Sequence, residues 1–390
     1  MPASVISTLI VAAVAAIGAT GAVRAKRAAR TLYPAPPPVV DDNTVDLDRH
    51  DPDRPTALVL LDHAGTEVSD FLLPYELLAA SRAFNVYAVA PERRPATLTG
   101  GLDVVPHLGF ADVATLPSSR VEVVVVPHLP TPDDRVLGWL RARSEAGALV
   151  LTICTGAGVA AAAGLLDGRT STAHWGDIGR FERRYPQVRW RRDVRYVDDG
   201  DFIASAGITS GIDATLHVIR RLAGDEGMHR AAETVGYTDL GYLDDPAVEP
   251  FRVSMADLIV VLRAAFARRP RIDVFLDDDV DEFALAAVMD TLAASFTARL
   301  TTVTPDGTAV RTRHGLTVIP RASAATAPAS QRRYPARTSG TPYRAFDEAL
   351  TDLADLGGRA IARFAAKRLE LRNTPIDPTT TQNDHARSIR

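Results

Sequence analysis

The sequence predicts an α/β protein built on a mostly parallel sheet, and three observations carry that prediction. Short, continuously apolar runs alternate with helical stretches from Ala57 onward. One such run ends on the only cysteine of the 390 residues, with an alanine-rich helical stretch directly behind it. Part of the strand–helix–strand pattern then recurs at a fixed spacing in the second half. Taken in order, Ala57-Leu58-Val59-Leu60-Leu61 reads as a strand and residues 71–81 as a helix. Strands follow at 86–90 and 121–126, and a helix at 135–145. The strand over 149–153 runs into the cysteine, and a helix follows over 159–166. Strands apolar on both faces belong in a sheet covered on both sides. Ligands of such sheets collect at the carboxyl ends of the strands, which is where Cys154 falls.

A strand feeding a helix through so sharp a corner places the corner side chain at a helix N-terminus. There the macrodipole and free N–H groups favour a thiolate. The alternative is that Cys154 is a small buried hydrophobe. A single cysteine excludes a disulfide framework within the chain and a zinc site built on thiolates. The histidines show no metal-ligand spacing, so no metal is expected. Asp277-x-Asp279-x-Asp281 starts like a calcium loop, but Glu282 stands where the turn glycine belongs. Gly156-x-Gly158-x-x-Ala161 satisfies a loose dinucleotide fingerprint, without a second strand ending in an acid. No cofactor is expected. A formal charge of −4 gives no pull toward nucleic acid, and none is expected as a partner.

Residues 5–23 carry no charge and, as a helix, would reach roughly 28 Å, close to the hydrocarbon thickness of a bilayer. Arg24, Lys26, Arg27 and Arg30 follow at once, an order that predicts a single-pass anchor with the rest of the chain in the cytoplasm. A cleaved export signal ending near Ala25 is the alternative. The Pro-rich and acidic stretch after it reads as a spacer.

The internal repeat is read from matched positions. Leu78-Ala79-Ala80-Ser81 recurs as Leu292-Ala293-Ala294-Ser295, and Pro91 and Pro305, Gly101 and Gly315, and Pro106 and Pro320 all stand 214 positions apart. Nothing after Pro320 resembles the cysteine corner, so the copy has lost its reactive half and is expected to serve packing or dimerisation. The predicted organisation is an anchor over 1–30, a linker over 31–56 and the cysteine-bearing domain over 57–237. A connector with a helix follows over 238–270, then a degenerate half-copy over 271–320 and a flexible loop over 321–342. A C-terminal helix over 343–372, with a break at Gly357-Gly358, and a disordered tail over 373–390 complete it.

Val68-Ser69-Asp70-Phe71-Leu72-Leu73-Pro74-Tyr75-Glu76-Leu77-Leu78 resembles the acidic loop and first helix of the DJ-1/PfpI superfamily, whose fold is class I glutamine amidotransferase-like. Ile153-Cys154-Thr155-Gly156 is similar to the elbow of one branch, that of isocyanide hydratases and the ligand-binding domains of AraC-type regulators. Ala162-Ala163-Gly164-Leu165-Leu166-Asp167-Gly168-Arg169, Thr172-Ala173-His174-Trp175 and Ser205-Ala206-Gly207-Ile208-Thr209-Ser210-Gly211-Ile212-Asp213 follow in that branch's order. The resemblance covers residues 57–237. It implies a flavodoxin-like sandwich with Cys154 as nucleophile on a strained elbow and Asp70 and Glu76 as catalytic carboxyls. Backbone N–H groups of Thr155 and Gly156 would hold a developing anion. Asp70 could instead cap its helix, and Glu76 could lie on a solvated face. Where relatives carry a Gly-Gly pair after the third strand, this chain has Val126-Pro127-His128-Leu129-Pro130, which brings His128 toward the pocket. His174 is expected to be a hydrogen-bonded structural histidine.

Two functions follow. One is a membrane-tethered, cysteine-dependent hydratase or hydrolase of a small molecule. The other is a non-catalytic module that senses a small-molecule ligand or serves as a scaffold. A homodimer is compatible with both.

Overall fold

The computed structural model describes residues 33–36, 50–116, 121–252, 254–266, 269–295, 298–327, 332–335 and 340–376. In the first half, β1 (Thr56–Leu60) leads into helix α1 (Val68–Ala80), then β2 (Asn85–Ala90), the hairpin β3 (Ala96–Leu98) and β4 (Leu102–Val105), and the short β5 (Leu108–Gly109). Next come β6 (Val121–Val126), α2 (Asp134–Glu145), β7 (Leu149–Thr152), α3 (Gly156–Ala162), β8 (Thr170–Thr172), α4 (Ile178–Arg184), β9 (Arg189–Arg191), β10 (Tyr196–Asp198), β11 (Phe202–Ser205) and α5 (Ser210–Val235). Seven strands form one sheet in the order β10-β11-β7-β6-β1-β2-β5, parallel except for the antiparallel β10–β11 edge.

The apolar runs are explained by burial on both faces. Val59, Val125 and Leu151 point into one apolar cluster, while their neighbours Leu60, Val126 and Val150 point into the other. Alternation along a strand therefore yields no polar side, because both sides are core. The predicted strands and helices of residues 57–166 are observed with ends shifted by a few residues.

The second half contains α6 (Met255–Phe266), β12 (Arg271–Phe275), α7 (Glu282–Ala294), β13 (Arg299–Thr304), β14 (Val310–Arg311), β15 (Thr317–Ile319), β16 (Ala322–Ser323) and β17 (Arg332–Pro335). Two helices, α8 (Arg344–Gly357) and α9 (Arg359–Arg368), follow. The sheet β16-β13-β12-β17 is wholly parallel. A third sheet, β14-β15-β4-β3, joins the halves through β15 and β4.

Four expectations are corrected. Among the described residues no helix is long and apolar enough to cross a membrane. The stretch 5–23 lies outside the described residues, and the membrane placement is withdrawn. The spacer is not wholly detached from the domain: Tyr33 is half-buried, Thr99 Oγ1 donates to its hydroxyl at 3.2 Å, and Arg321 Nη2 donates to the Pro34 carbonyl at 3.1 Å. The stretch 321–342 is not all loop, because β16 and β17 lie within it and extend the parallel sheet. Thr374 and Ile376, assigned to a disordered tail, are buried. The C-terminal helix does break where the glycine pair stands. Gly358 adopts φ +90°, which ends α8 and lets α9 fold back.

Candidate active site at the Cys154 corner

Between β7 and α3 the chain turns within three residues. Cys154 takes φ +58°, a left-handed conformation that few non-glycine residues adopt and that clusters at functional sites. The turn is clamped against β6: Ile153 N–H donates to Val126 O at 3.0 Å, and Gly156 N–H to Ile153 O at 2.8 Å. Gly156 passes so close to β6 that a Cβ there would lie 2.1 Å from Val126 O. The predicted elbow is therefore present. Its side chain is 7% exposed and lines a cavity of about 740 Å³ together with His128, His174, Trp175, Asp177 and Ile208. From the second half, Leu258 and Val261 of α6 and Asp290 and Ala293 of α7 complete the wall.

The acid beside the elbow comes from the start of α1. Asp70 is fully buried, and its Oδ2 accepts from His128 N–H at 2.9 Å while Oδ1 has no partner. Glu67 caps the helix, accepting from Asp70 N–H at 2.7 Å, so Asp70 does not serve as the cap. Burial raises the Asp70 pKa to about 7, against the opposing pull of the His128 N–H. Burial, and after it the charges of Asp70 and Glu67, hold the Cys154 thiol well above its ordinary range. The expectation of a helix-stabilised thiolate is thus corrected. α3 has only seven residues, and the charges that act on the thiol are those of acids rather than cations.

Thr155, Gly156 and His128 fare differently from one another. The Gly156 N–H is consumed by Ile153 O, so it is not free for an anion, whereas the Thr155 N–H meets no backbone carbonyl among the described residues. His128 replaces the missing glycines with a staple: its N–H holds Asp70, and its carbonyl accepts from Glu67 N–H at 3.0 Å. Its ring Nδ1 lies 2.5 Å from Thr155 Oγ1. Burial lowers the His128 pKa to about 4, so the ring is neutral at pH 7. His174 is hydrogen-bonded on both nitrogens, donating through Nε2 to Arg368 O and accepting at Nδ1 from Gly176 N–H.

Glu76 is not at the thiol. Its Oε2 accepts from Phe283 N–H at 2.6 Å across the seam to α7, and its charged neighbours are Asp281 and Glu282. The carboxyl the resemblance placed beside sulfur therefore faces the second half. Glu76, Glu282 and His314 offer ligand atoms within 4.8 Å of one another and could between them hold a cation. Glu282 already accepts from Thr312 Oγ1, His314 N–H and His314 Nδ1, which accounts for that group without one. The Ser205–Asp213 signature is largely structural. Asp213 accepts from Arg195 at 2.5 Å and from the Tyr237 hydroxyl at 2.7 Å, all three buried, while Ser210 Oγ donates to Glu370 at 2.7 Å. Sequence reasoning missed Glu67 and Asp290. The 214-residue spacing held the signal for the second, since it relates Asp290 to Glu76.

The model of the DJ-1/PfpI family matches residues 55–221. Isonitrile hydratase of Pseudomonas putida is 32% identical over 162 residues, which cover 40% of this chain and 67% of that protein. The chain belongs to the DJ-1/PfpI family. This DJ-1/PfpI protein is also 41% identical over 171 residues to the HTH-type transcriptional regulator CdhR of Pseudomonas aeruginosa, matching 42% of this chain and about half, 49%, of the regulator. The crystal structure of Drosophila melanogaster DJ-1beta superposes with a TM-score of 0.43 at 21% identity, covering 47% of this chain and 99% of that one.

The buried acids give the DJ-1/PfpI domain a stability profile of definite sign. Glu67, Asp70, Glu76, Asp281 and Asp290 all have pKa values raised by burial. Their contribution is full below the unfolded carboxyl pKa of about 4 and is lost as pH rises through the folded values. His63, His107, His128 and His174, all lowered by burial, act oppositely until the unfolded imidazoles are neutral, at about pH 7.5. Between about pH 7.5 and 8.5 the acids and the Cys154 thiol, all raised by burial, set the slope. The urea midpoint is expected to fall across that interval, and an equal or higher midpoint at about pH 8.5 contradicts the assignment.

Proposed function

We propose that Cys154 and Asp70 form a nucleophile–acid pair that adds water to a small electrophile held in the cavity, an isonitrile or a molecule of similar reactivity. The observation that carries this reading is a thiol on a left-handed elbow whose charged neighbour is a carboxyl with its pKa near 7. A group with that pKa can both give and take a proton at neutral pH. On an isonitrile the sulfur would bond to the terminal carbon, and the thiol proton would pass by way of Asp70 to the same carbon, leaving a thioimidate. Water then adds to that carbon, nitrogen gains a proton, and the carbon–sulfur bond breaks. The products are an N-substituted formamide and the regenerated thiol. The protonated resting thiol suits this sequence, because proton and sulfur are delivered together. The wall of Ile208, Leu258, Val261, Ala293 and Ala294 suits an apolar substituent. In the test, Asp70→Asn keeps the shape of the side chain and removes the titrating proton. It is expected to lower kcat/KM for a small alkyl isonitrile by about 10²–10⁴-fold; unchanged turnover rejects the pair.

A second reading, ligand sensing without turnover, is favoured by one observation. The thiol is held protonated and the Gly156 N–H is already taken, so an anionic intermediate has fewer donors than an elbow can offer. Identity to a regulator fits the same reading.

We infer further that residues 271–335 are a shortened second copy of residues 56–126. Shifted by 214 positions, α1, β2 and β5 fall on the bounds of α7, β13 and β16. The pairing partners correspond as well: β12 lies between β13 and β17 as β1 lies between β2 and β6. The copy ends before any counterpart of the cysteine corner.

A further inference from the structure

Helices α1 and α7 meet across the seam between the halves, and each carries two acids at matching places. Glu67 caps α1, and Asp281 caps α7 by accepting from Ala284 N–H at 2.8 Å. Glu76 lies within α1 and Asp290 within α7. Each member of one helix stands 214 positions from its counterpart, so a two-fold exchange of the halves carries the pair Glu67–Asp290 onto the pair Asp281–Glu76. The strand register shows the same exchange: Val104 faces Val318, with Asp103 opposite Ile319 and Val105 opposite Thr317.

In both pairs the carboxyl groups are buried beside each other, and the charge of one raises the pKa of the other. Glu67 Oε1, Glu76 Oε1 and Asp290 Oδ2 make no hydrogen bond, although the Ser69 hydroxyl lies beside the Asp290 carboxyl. Two carboxylates in contact in an apolar setting cannot both be ionised, and a proton held between them supplies the missing donor. The pairs differ in two respects. Asp281 is also ion-paired with Arg313 at 2.5 Å, and Glu67 and Asp290 line the cavity with Cys154, whereas Glu76 and Asp281 do not.

We propose that Asp290, carried by the second half of the chain, is a positioning residue of the Cys154 cavity: it shares a proton with Glu67 across the seam and thereby sets the pH at which Asp70 releases its own. The half-copy is then an internal partner that completes the site. The groups facing Asp70 are Glu67 on its own helix, the His128 N–H, Asp290 from α7 and Glu370 behind α9. Arg368 faces Asp290, and the Tyr33 phenol lies near all three acids. Burial, more than the Asp290 charge, holds the proton on Glu67, so Glu67 stays neutral when Asp290 is replaced, and Asp70, with one repulsion fewer, ionises at lower pH. The consequence for turnover rests on the Cys154–Asp70 reading, but the shared proton does not.

The test is the rate of Cys154 alkylation by iodoacetamide against pH in the full chain, which has one thiol to report. The curve bends where Asp70 titrates. Asp290→Asn is expected to move that bend down by about one pH unit, a tenfold change in the protonated fraction ratio. Asp290→Glu restores it, since the matching position naturally holds Glu76. Asp281→Asn, which breaks the other pair, leaves the bend in place. An unmoved bend in Asp290→Asn, or an equal move in Asp281→Asn, overturns the proposal. Should the Asn variant not fold, Asp290→Ser is read in its place. A moved bend with no turnover by any variant rejects the hydratase reading alone; turnover with an unmoved bend rejects this inference alone.

Discussion

Replacing Cys154 with serine is expected to lower turnover of a small isonitrile by at least about 10³-fold while the chain stays folded. The hydroxyl fits the same space and tolerates the same φ, so the elbow has no reason to open. What changes is the nucleophile. A serine hydroxyl is far less acidic than a thiol, and Asp70, with its pKa near 7, is too weak a base to compensate for that difference. Product formation is the readout, with circular dichroism to confirm the fold. Turnover that survives the substitution assigns the chemistry to another group. Ligand-induced rise of the melting temperature, unchanged in the variant and without product, is what the sensing reading expects.

Replacing Gly156 with alanine is expected to destabilise the domain by more than about 3 kcal/mol. A Cβ at this position would lie 2.1 Å from Val126 O and 3.0 Å from Pro127 O, and both are backbone atoms of the strand beside the elbow. Neither can swing aside as a side-chain tip could. Relief requires that α3 move off β6, which breaks the Ile153–Val126 bond and opens the cavity floor. Urea unfolding is the measurement. A midpoint like that of the wild type means the elbow does not press on β6, and the geometry of Cys154 fails with it.

The sheet was legible because its strands are buried on both faces, which leaves runs such as Ala57-Leu58-Val59-Leu60-Leu61 apolar throughout. Cys154 was legible for a related reason, as the polar end of such a run against a helix start. Asp70 was recognised by its place in a motif, although the cap proved to be Glu67, three residues earlier, because an acid one turn back reaches the same N–H groups. Glu76 was misplaced. Position along a helix fixes the face it occupies but not which neighbour covers that face, and here α7 covers it. The thiol's electrostatics were unreadable for the same cause: Glu67 and Asp70 crowd sulfur only once α1 is docked. Asp290 lies 136 residues beyond the cysteine, and nothing in the sequence between them shows which helix covers the cavity. Strands β16 and β17 were hidden by an Ala-, Ser- and Arg-rich composition that carries no apolar period.

The account turns on the sulfur, which lines the cavity, and the buried Asp70 carboxyl acting on each other. With a single thiol in the chain, alkylation against pH measures this without a substrate, in the wild type and in Asp70→Asn. The account predicts a bend near pH 7 in the wild type that is absent from the variant, whose thiol ionises at lower pH because a neighbouring negative charge is gone. Superimposable curves for the two proteins contradict it.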